Sequence, residues 1–411
     1  MDPLAPDPVA SHDTRARYEQ VLSRAPRAIV ELLETLIRHA YARSASDLHI
    51  DPTREKLQVR MRVDGALTEL PSIPSACHAE LIARIKILAG LRSDEHYAAQ
   101  DGRFRFEIDD ACALDIRVAV LPTYYGENAV LRLLAPRHAD DNLLELGFSR
   151  DHTGTIERIL QKRDGLILVT GPTGSGKTTT LYTLIRLLRA QDVSVVTIED
   201  PIEYSLDGVN QIPVRAGAGL TFSSGLRAIL RQDPDIIMVG EIRDYETAAL
   251  AVNAALTGHL VLSTLHTTDA ATALPRLLDL GIEPYLIAST LRLVISQRLV
   301  RNVCTSCAHT KPATPEEVRY FEQISLPAPG QLTRGAGCDE CMQTGYQGRV
   351  GAYEVLAQSD ALRSAILART SAEEIRAHAR AAGIQSLYAD GLTKVKRGRT
   401  TLEEVLRLSY E

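Results

Sequence analysis

The 411-residue sequence contains no run of eighteen or more apolar residues, and its longest candidates, such as Leu166 to Val169 and Ile236 to Val239, have the length of buried strands. A membrane-spanning helix is excluded on that reading. The first twenty residues hold three prolines, three aspartates and no apolar block, which argues against a secretory signal and leads us to expect a cytoplasmic protein. Cysteine is scarce, and six in a chain of this length do not form a disulfide framework. A basic excess is also lacking. With 46 Lys and Arg against 52 Asp and Glu the net charge is -6, which argues against a surface built to coat nucleic acid while leaving room for a local basic channel. At 24% charged and 45% hydrophobic residues, the composition fits neither disorder nor collagen.

What remains is a globular chain long enough for two or three domains of roughly 100 to 200 residues. Residues 1–26 have no clear period and read as a flexible arm or a short helix at most. From Ile29 the positions Leu32, Leu33, Leu36, Ile37 and Ala40 recur at helical spacing, and the pattern then alternates through Leu57, Val59, Met61 and Val63. A second helix is expected over Ala79 to Leu88, with further alternation over Arg103 to Ile108, Ala113 to Val118 and Ala129 to Leu134. Residues 27–136 therefore read as one α+β domain, followed by a charged linker at 137–142.

Beyond the linker the texture changes. Gly165 to Val169, Val193 to Ile198, Ile236 to Val239 and Leu260 to Ser263 are short apolar runs between helical patterns, as expected for strands buried on both faces of a parallel sheet. This gives an α/β domain over 143–300. Residues 301–350 are rich in cysteine, proline and glycine, and 351–411 read as helical, with capping boxes at Ser371 to Glu374 and Thr401 to Glu404.

The strongest chemical signal is Gly171-Pro172-Thr173-Gly174-Ser175-Gly176-Lys177-Thr178, followed by Thr179, between an apolar run and a helical pattern. Glycines let backbone N–H groups curl around phosphate oxygens, Lys177 can reach the β and γ phosphates of ATP, and Thr178 can ligate magnesium. Further carboxylates stand at strand ends: Glu199, Asp200 and Glu203 after one run and Glu241 after another, the last where an aspartate is usual in a magnesium-binding second motif. One of the first three could orient or deprotonate an attacking water, and Glu241 could hold magnesium through water or polarise the nucleophile. His266 closes the fourth run and could sense a γ phosphate, whereas His259 reads as structural. Arg227 and Arg231, four apart, would share one helical face. Cys304, Cys307, Cys338 and Cys341 form two Cys-x-x-Cys pairs and offer four thiolates for tetrahedral structural zinc, stapling a protruding loop. Cys77 and Cys112 read as small buried hydrophobes.

Taken together, the residues resemble the secretion ATPase superfamily, in particular the assembly ATPases of type II secretion systems and type IV pili. The resemblance rests on Ser44-Ala-Ser-Asp-Leu-His-Ile-Asp51, Leu226-Arg-Ala-Ile-Leu-Arg-Gln-Asp-Pro-Asp235, Gly240-Glu-Ile-Arg-Asp244, Leu256-Thr-Gly-His259 and Ser263-Thr-Leu-His266. It implies a RecA-like P-loop NTPase domain preceded by a PAS-like α+β domain, with a four-cysteine zinc-binding insertion and a helical C-terminus. It also implies a homo-hexameric ring with nucleotide held between the two domains, working against an inner-membrane platform protein. In family terms Glu199 to Glu203 form the acidic box, Glu241 is the second-motif glutamate, His266 lies in the histidine box, and Arg117, Arg132, Arg227 and Arg231 are the candidate phosphate-reaching arginines. The cysteine quartet resembles the assembly branch rather than retraction ATPases, and the Thr400-Thr-Leu-Glu-Glu-Val-Leu406 ending looks more like type II secretion than pilus extension. A pilus-assembly motor, a DNA-uptake motor and a nucleotide-binding scaffold without turnover remain alternative expectations. Two departures stand out: only about 26 residues precede Arg27 where relatives carry a long docking domain, and Asp94-Glu-His-Tyr97 replaces a Glu-Arg-Arg pattern.

Overall fold

The computed structural model describes residues 8–25, 28–109, 112–134, 142–189, 192–323 and 327–408, and the chain divides into a unit over Met1–His138 and a unit over Ala139–Glu411. Of the linker expected at 137–142, only Asn142 lies within the described residues.

The first unit contains helices α1 (Pro8–Leu22), α2 (Ile29–Ala42) and α3 (His78–Leu88), with strands β1 (Asp47–Pro52), β2 (Lys56–Val63), β3 (Ala66–Pro74), β4 (Gln100–Glu107), β5 (Ala113–Thr123) and β6 (Gly126–Leu134). The strands form one antiparallel sheet in the order β3-β2-β1-β6-β5-β4. Alternation explains it, since Leu57, Val59 and Met61, then Leu114, Ile116, Val118 and Val120, are buried while their neighbours are not. The expectation for residues 1–26 needs correction. Residues 8–22 form a full helix that packs on α2, and Tyr18 and Val21 are completely buried. Tyr18 stacks on His39 and donates to Pro71 O at 2.7 Å, and these tertiary contacts hold a helix whose sequence has almost no apolar stripe.

The second unit opens with α4 (Leu143–Leu146), α5 (Arg150–Leu160), β7 (Gly165–Thr170), α6 (Lys177–Arg189), β8 (Val195–Glu199), β9 (Asn210–Pro213) and α7 (Phe222–Ile229). It continues with β10 (Ile236–Val239), α8 (Tyr245–Leu256), β11 (Leu260–Leu265), α9 (Ala273–Asp279), α10 (Pro284–Thr290), β12 (Leu291–Val303), β13 (Ala308–Pro312) and α11 (Pro315–Glu322). The remaining elements are β14 (Gln331–Gly335), β15 (Tyr346–Ala357), α12 (Asp360–Leu367), α13 (Ala372–Ala381), α14 (Leu387–Lys396) and α15 (Leu402–Arg407).

Seven strands form the central sheet in the order β15-β12-β7-β11-β10-β8-β9, parallel except for β15, and β13 pairs with β14 in a small ribbon. Both faces are buried. Leu166 and Leu168 enter a core shared with α7, α8, α9, α10, α12 and α13, while Ile167 and Val169 enter another shared with α5 and α6. Two boundaries expected from sequence fall inside strands: β12 continues past residue 300 and β15 past residue 350, because these long strands pair with each other at the edge of the main sheet. The capping box at Ser371 is complete, but at Thr401 only the hydroxyl caps its helix. Glu404 is drawn instead to Arg301, which it meets at 2.6 Å.

Candidate functional site

Parallel pairing brings three strand ends side by side, because β11 lies between β7 and β10 with Thr264 opposite Val169 and Ser263 opposite Val239. Side chains fasten the ends together. Ser263 Oγ donates to Val239 O and Thr264 Oγ1 to Gly240 O, both at 2.7 Å, and Ile242 N donates to Thr264 O at 3.0 Å. Gly171, Glu241 and His266 consequently leave the sheet along one edge.

The loop after β7 is shaped by glycine. Gly171 and Gly176 have φ of 148° and 86°, and a Cβ at Gly171 would stand 2.5 Å from both Gln297 O and Ser175 Oγ. Ser175 Oγ is buried without a protein partner, in a loop of backbone amides at the start of α6. A hydroxyl, turned amides and a helix N-terminus suit phosphate oxygens, so the residues present fit a nucleotide. Lys177 Nζ donates to Gly171 O at 2.8 Å and Pro172 O at 2.9 Å. Burial pushes its pKa down to about 8, with Glu241 opposing that change and Arg298 adding to it. Lys177 and Glu241 therefore share one electrostatic environment.

Glu241 is 9% exposed and is held from two sides. His266 Nε2 lies 3.2 Å from its Oε2 and Arg243 Nη2 lies 2.5 Å from its Oε1. Glu199 is placed differently from Glu241. Strand periodicity turns Val195, Thr197 and Glu199 toward α6, where Glu199 accepts from Tyr182 Oη, from Thr197 Oγ1 at 2.6 Å and from Gln211 Nε2 at 3.1 Å. Burial raises its pKa and both oxygens are engaged inside the fold. Glu203 is half-buried and close enough to Glu199 for the two carboxyls to repel.

The expected arginine pair on one helical face is also corrected. α7 ends at Ile229, so Arg231 turns back to donate to Arg227 O at 3.0 Å, while Arg227 pairs with Glu246 at 2.5 Å. In the first unit Arg117 and Arg132 are direct cross-strand neighbours, and Arg132 Nε reaches Asp47 Oδ1 at 3.0 Å. Adjacent like charges are costly, and Asp47 offsets part of that cost. His259 bonds locally, its Nδ1 donating to Ala254 O of α8 at 3.0 Å.

The four cysteines of the insertion converge. Their sulfurs all lie within 4.8 Å of one another, with Cys304–Cys338 and Cys307–Cys341 at 3.8 Å and Cys338–Cys341 at 3.7 Å. Zinc–sulfur bonds of about 2.3 Å in a tetrahedron require sulfur separations of about 3.8 Å, so the set fits zinc. Backbone N–H groups of Cys338 and Gly345 point at Cys341 Sγ, both at 3.2 Å, and Gly337 N at Cys307 Sγ at 3.3 Å, which favours thiolates.

Three participants were not singled out in the sequence. Arg243 grips Glu241, and Gln297 and Arg298 flank the phosphate loop from β12. Gln297 Oε1 accepts from Thr180 Oγ1 at 2.6 Å. Leu291–Val303 is rich in Val, Ile and Leu, yet Arg292, Gln297 and Arg298 break the run, so periodicity alone does not mark a strand reaching the loop.

Comparison with known proteins agrees with this geometry. Residues 23–407 match the family model described as Type II/IV secretion system protein. The chain is 44% identical over 403 residues to type II secretion system protein E of Xanthomonas campestris pv. campestris, covering 98% of this chain and 70% of that one. It is 45% identical over 385 residues to the type IV pilus assembly ATPase PilB of Thermus thermophilus, covering 93% of this chain and 43% of that one. Among solved structures, the pilus retraction motor PilT with bound ADP is similar at a TM-score of 0.63 and 27% identity, covering 92% of this chain and 97% of that one. DotB of Legionella pneumophila shares the fold at a TM-score of 0.67 and 23% identity, with 92% and 95% covered. With a phosphate loop and carboxylate set at adjoining strand ends, and with sequence similarity running through nearly its whole length, the chain belongs to the Type II/IV secretion system ATPase family.

Proposed function

We propose that this chain is the ATP-hydrolysing subunit of a homo-hexameric motor that drives assembly of a pseudopilus in type II secretion. The observation that carries the reading is the convergence of Lys177, Glu241 and His266 at the ends of β7, β10 and β11. Amides of Gly171 to Thr178 would hold the triphosphate, with Thr179 completing the first turn of α6. Lys177 would exchange its two carbonyl partners for phosphate oxygens, and Thr178 would ligate magnesium. Magnesium, when bound, would neutralise charge developing on the phosphates. Glu241 would orient the attacking water, and its bond to His266 would register cleavage of the γ phosphate. Arg117 and Arg132, with Arg227 and Arg231, are proposed to contact phosphates across the ring, and Glu203 to support the acidic side of the site. Zinc held by the four cysteines would fold residues 301–350, contributing on the order of 10 kcal/mol to that segment.

No helix among the described residues is long and apolar enough to cross a membrane. Attachment to the inner membrane through a platform protein is proposed on the similarity to type II secretion system protein E. A type IV pilus assembly motor is the second reading, favoured by the similarity to PilB. The net charge of -6 supports a protein rather than a nucleic-acid track. Phosphate release by the purified full chain, compared with Lys177→Ala and Glu241→Gln, tests the catalytic core. Normal turnover in either variant would refute it.

A further inference from the structure

The four residues after His266 are held by three elements, β12 beside the phosphate loop and α13 and β15 farther from it. Thr268 O accepts from Arg298 Nη2 of β12 at 3.0 Å. Asp269 Oδ2 meets Arg376 Nε of α13 at 2.7 Å, and Asp269 Oδ1 accepts from Thr272 N at 2.8 Å. Ala270 N donates to Glu354 Oε2 of β15 at 3.3 Å. Thr267 Oγ1 donates to Asp269 O at 3.0 Å, so the segment is tied at every residue.

Two of these ties are unusual. Glu354 is 6% exposed, and a carboxyl in so dry a position is costly unless a hydrogen bond offsets its lost hydration. It accepts from a backbone N–H in the loop that carries His266. Arg376 stands 107 residues along the chain from Asp269, at the middle of α13, whose Ile375 and Ala379 are buried in the core on one face of the central sheet.

We propose that Arg376, Asp269 and Glu354 are positioning residues that set His266 against Glu241, so that the C-terminal helices govern the hydrolytic site. The inference rests on His266 and Glu241 serving hydrolysis as proposed above. His266 reaches Glu241 at 3.2 Å, the long end of an effective hydrogen bond, so a shift of a few tenths of an ångström in the loop decides whether the contact exists. α13 reaches the loop through one part-buried ion pair, with the side chains of Arg376 and Asp269 40% and 21% exposed, and β15 restrains it through one buried acceptor.

The test is a mutant cycle on the full chain with ATP. Arg376→Ala should lower kcat about tenfold with KM for ATP within about twofold, as expected when geometry rather than binding is lost. Arg376→Lys should recover part of kcat by restoring the charge. In a His266→Ala background, Arg376→Ala should have no further effect. If His266→Ala alone leaves kcat unchanged, the reading of the site fails. If His266→Ala is impaired but Arg376→Ala turns over normally, or if the two losses multiply, the positioning role is overturned while the site stands. Asp269→Asn, which keeps the bond to Thr272, provides a second variant should Arg376→Ala fold poorly.

Discussion

Nε2 of His266 lies 3.2 Å from Oε2 of Glu241, although a strand, a helix and two loops separate them along the chain. Parallel pairing of β10 with β11 creates the contact, and Ser263 and Thr264 fix it by bonding across to Val239 and Gly240. Glu241→Gln, which keeps the shape but removes the charge that orients water, should lower kcat about a hundredfold or more while nucleotide still binds. Steady-state phosphate release together with a fluorescent-nucleotide titration separates the two effects.

Lys177 has a folded pKa of about 8 because burial disfavours its charge. The protonated form binds phosphate, so kcat/KM should be constant below that pH and fall above it as the charge is lost. A pH profile of kcat/KM from about 6.5 to about 9.5 checks the descending limb. In Lys177→Arg, whose guanidinium stays charged, any residual activity should show no such limb.

Glu199 is bound by Tyr182, Thr197 and Gln211 and should be structural. Glu199→Ala should cost roughly 1–3 kcal/mol by leaving buried donors unpaired, while Glu199→Gln should turn over close to wild type. Urea unfolding read beside phosphate release distinguishes this from a catalytic role.

Glu354 is pushed up to about 7 by burial, with the Ala270 N–H and Arg376 opposing and Asp269 adding. Ser296 stands opposite it on β12. Below about pH 4.5 folded and unfolded chains both hold the proton, and between that value and about 7 only the folded chain does. Stability should therefore fall as pH rises through this window, by up to about 3 kcal/mol. Glu354→Gln should flatten the dependence, as urea midpoints at about pH 5.5 and about pH 8 would reveal.

The cysteine quartet should carry one zinc per chain. Metal analysis of purified protein, and selective protease cleavage within 301–350 after chelation or in Cys338→Ser, test this. Central-sheet residues should stay protected, since their core does not depend on the insertion.

The central sheet was legible because buried parallel strands are continuous apolar runs, and the loop from Gly171 to Thr178 because few backbones other than a phosphate cradle need that glycine spacing. β12 and β15 were not legible. Their runs are interrupted by Arg292, Gln297, Arg298 and Glu354, polar residues whose partners lie far along the chain. Periodicity reports which face a residue takes only after the strand is known, which is why Glu199 looked available from its position after an apolar run. The helix over residues 8–22 was hidden for a related reason: among its residues of described burial, 14–22, the buried anchors are Tyr18 and Val21, too few to register as a stripe.

The long pairing of β12 with β15 has a mechanical meaning. Gln297 stands beside the phosphate loop, and seven residues farther along the chain, just past the end of β12, Cys304 begins the cysteine module, about 20 Å away at the rise of an extended chain. A two-stranded ribbon resists bending along its hydrogen-bonded plane, so a small tilt at its root becomes a sweep of several ångströms at its tip. The tip of this ribbon is tied to the C-terminal helices through Arg301 and Glu404 at 2.6 Å and through Val303 N and Arg399 O at 2.9 Å, so the cysteine module, the last helices and the nucleotide cradle share one continuous stiff element.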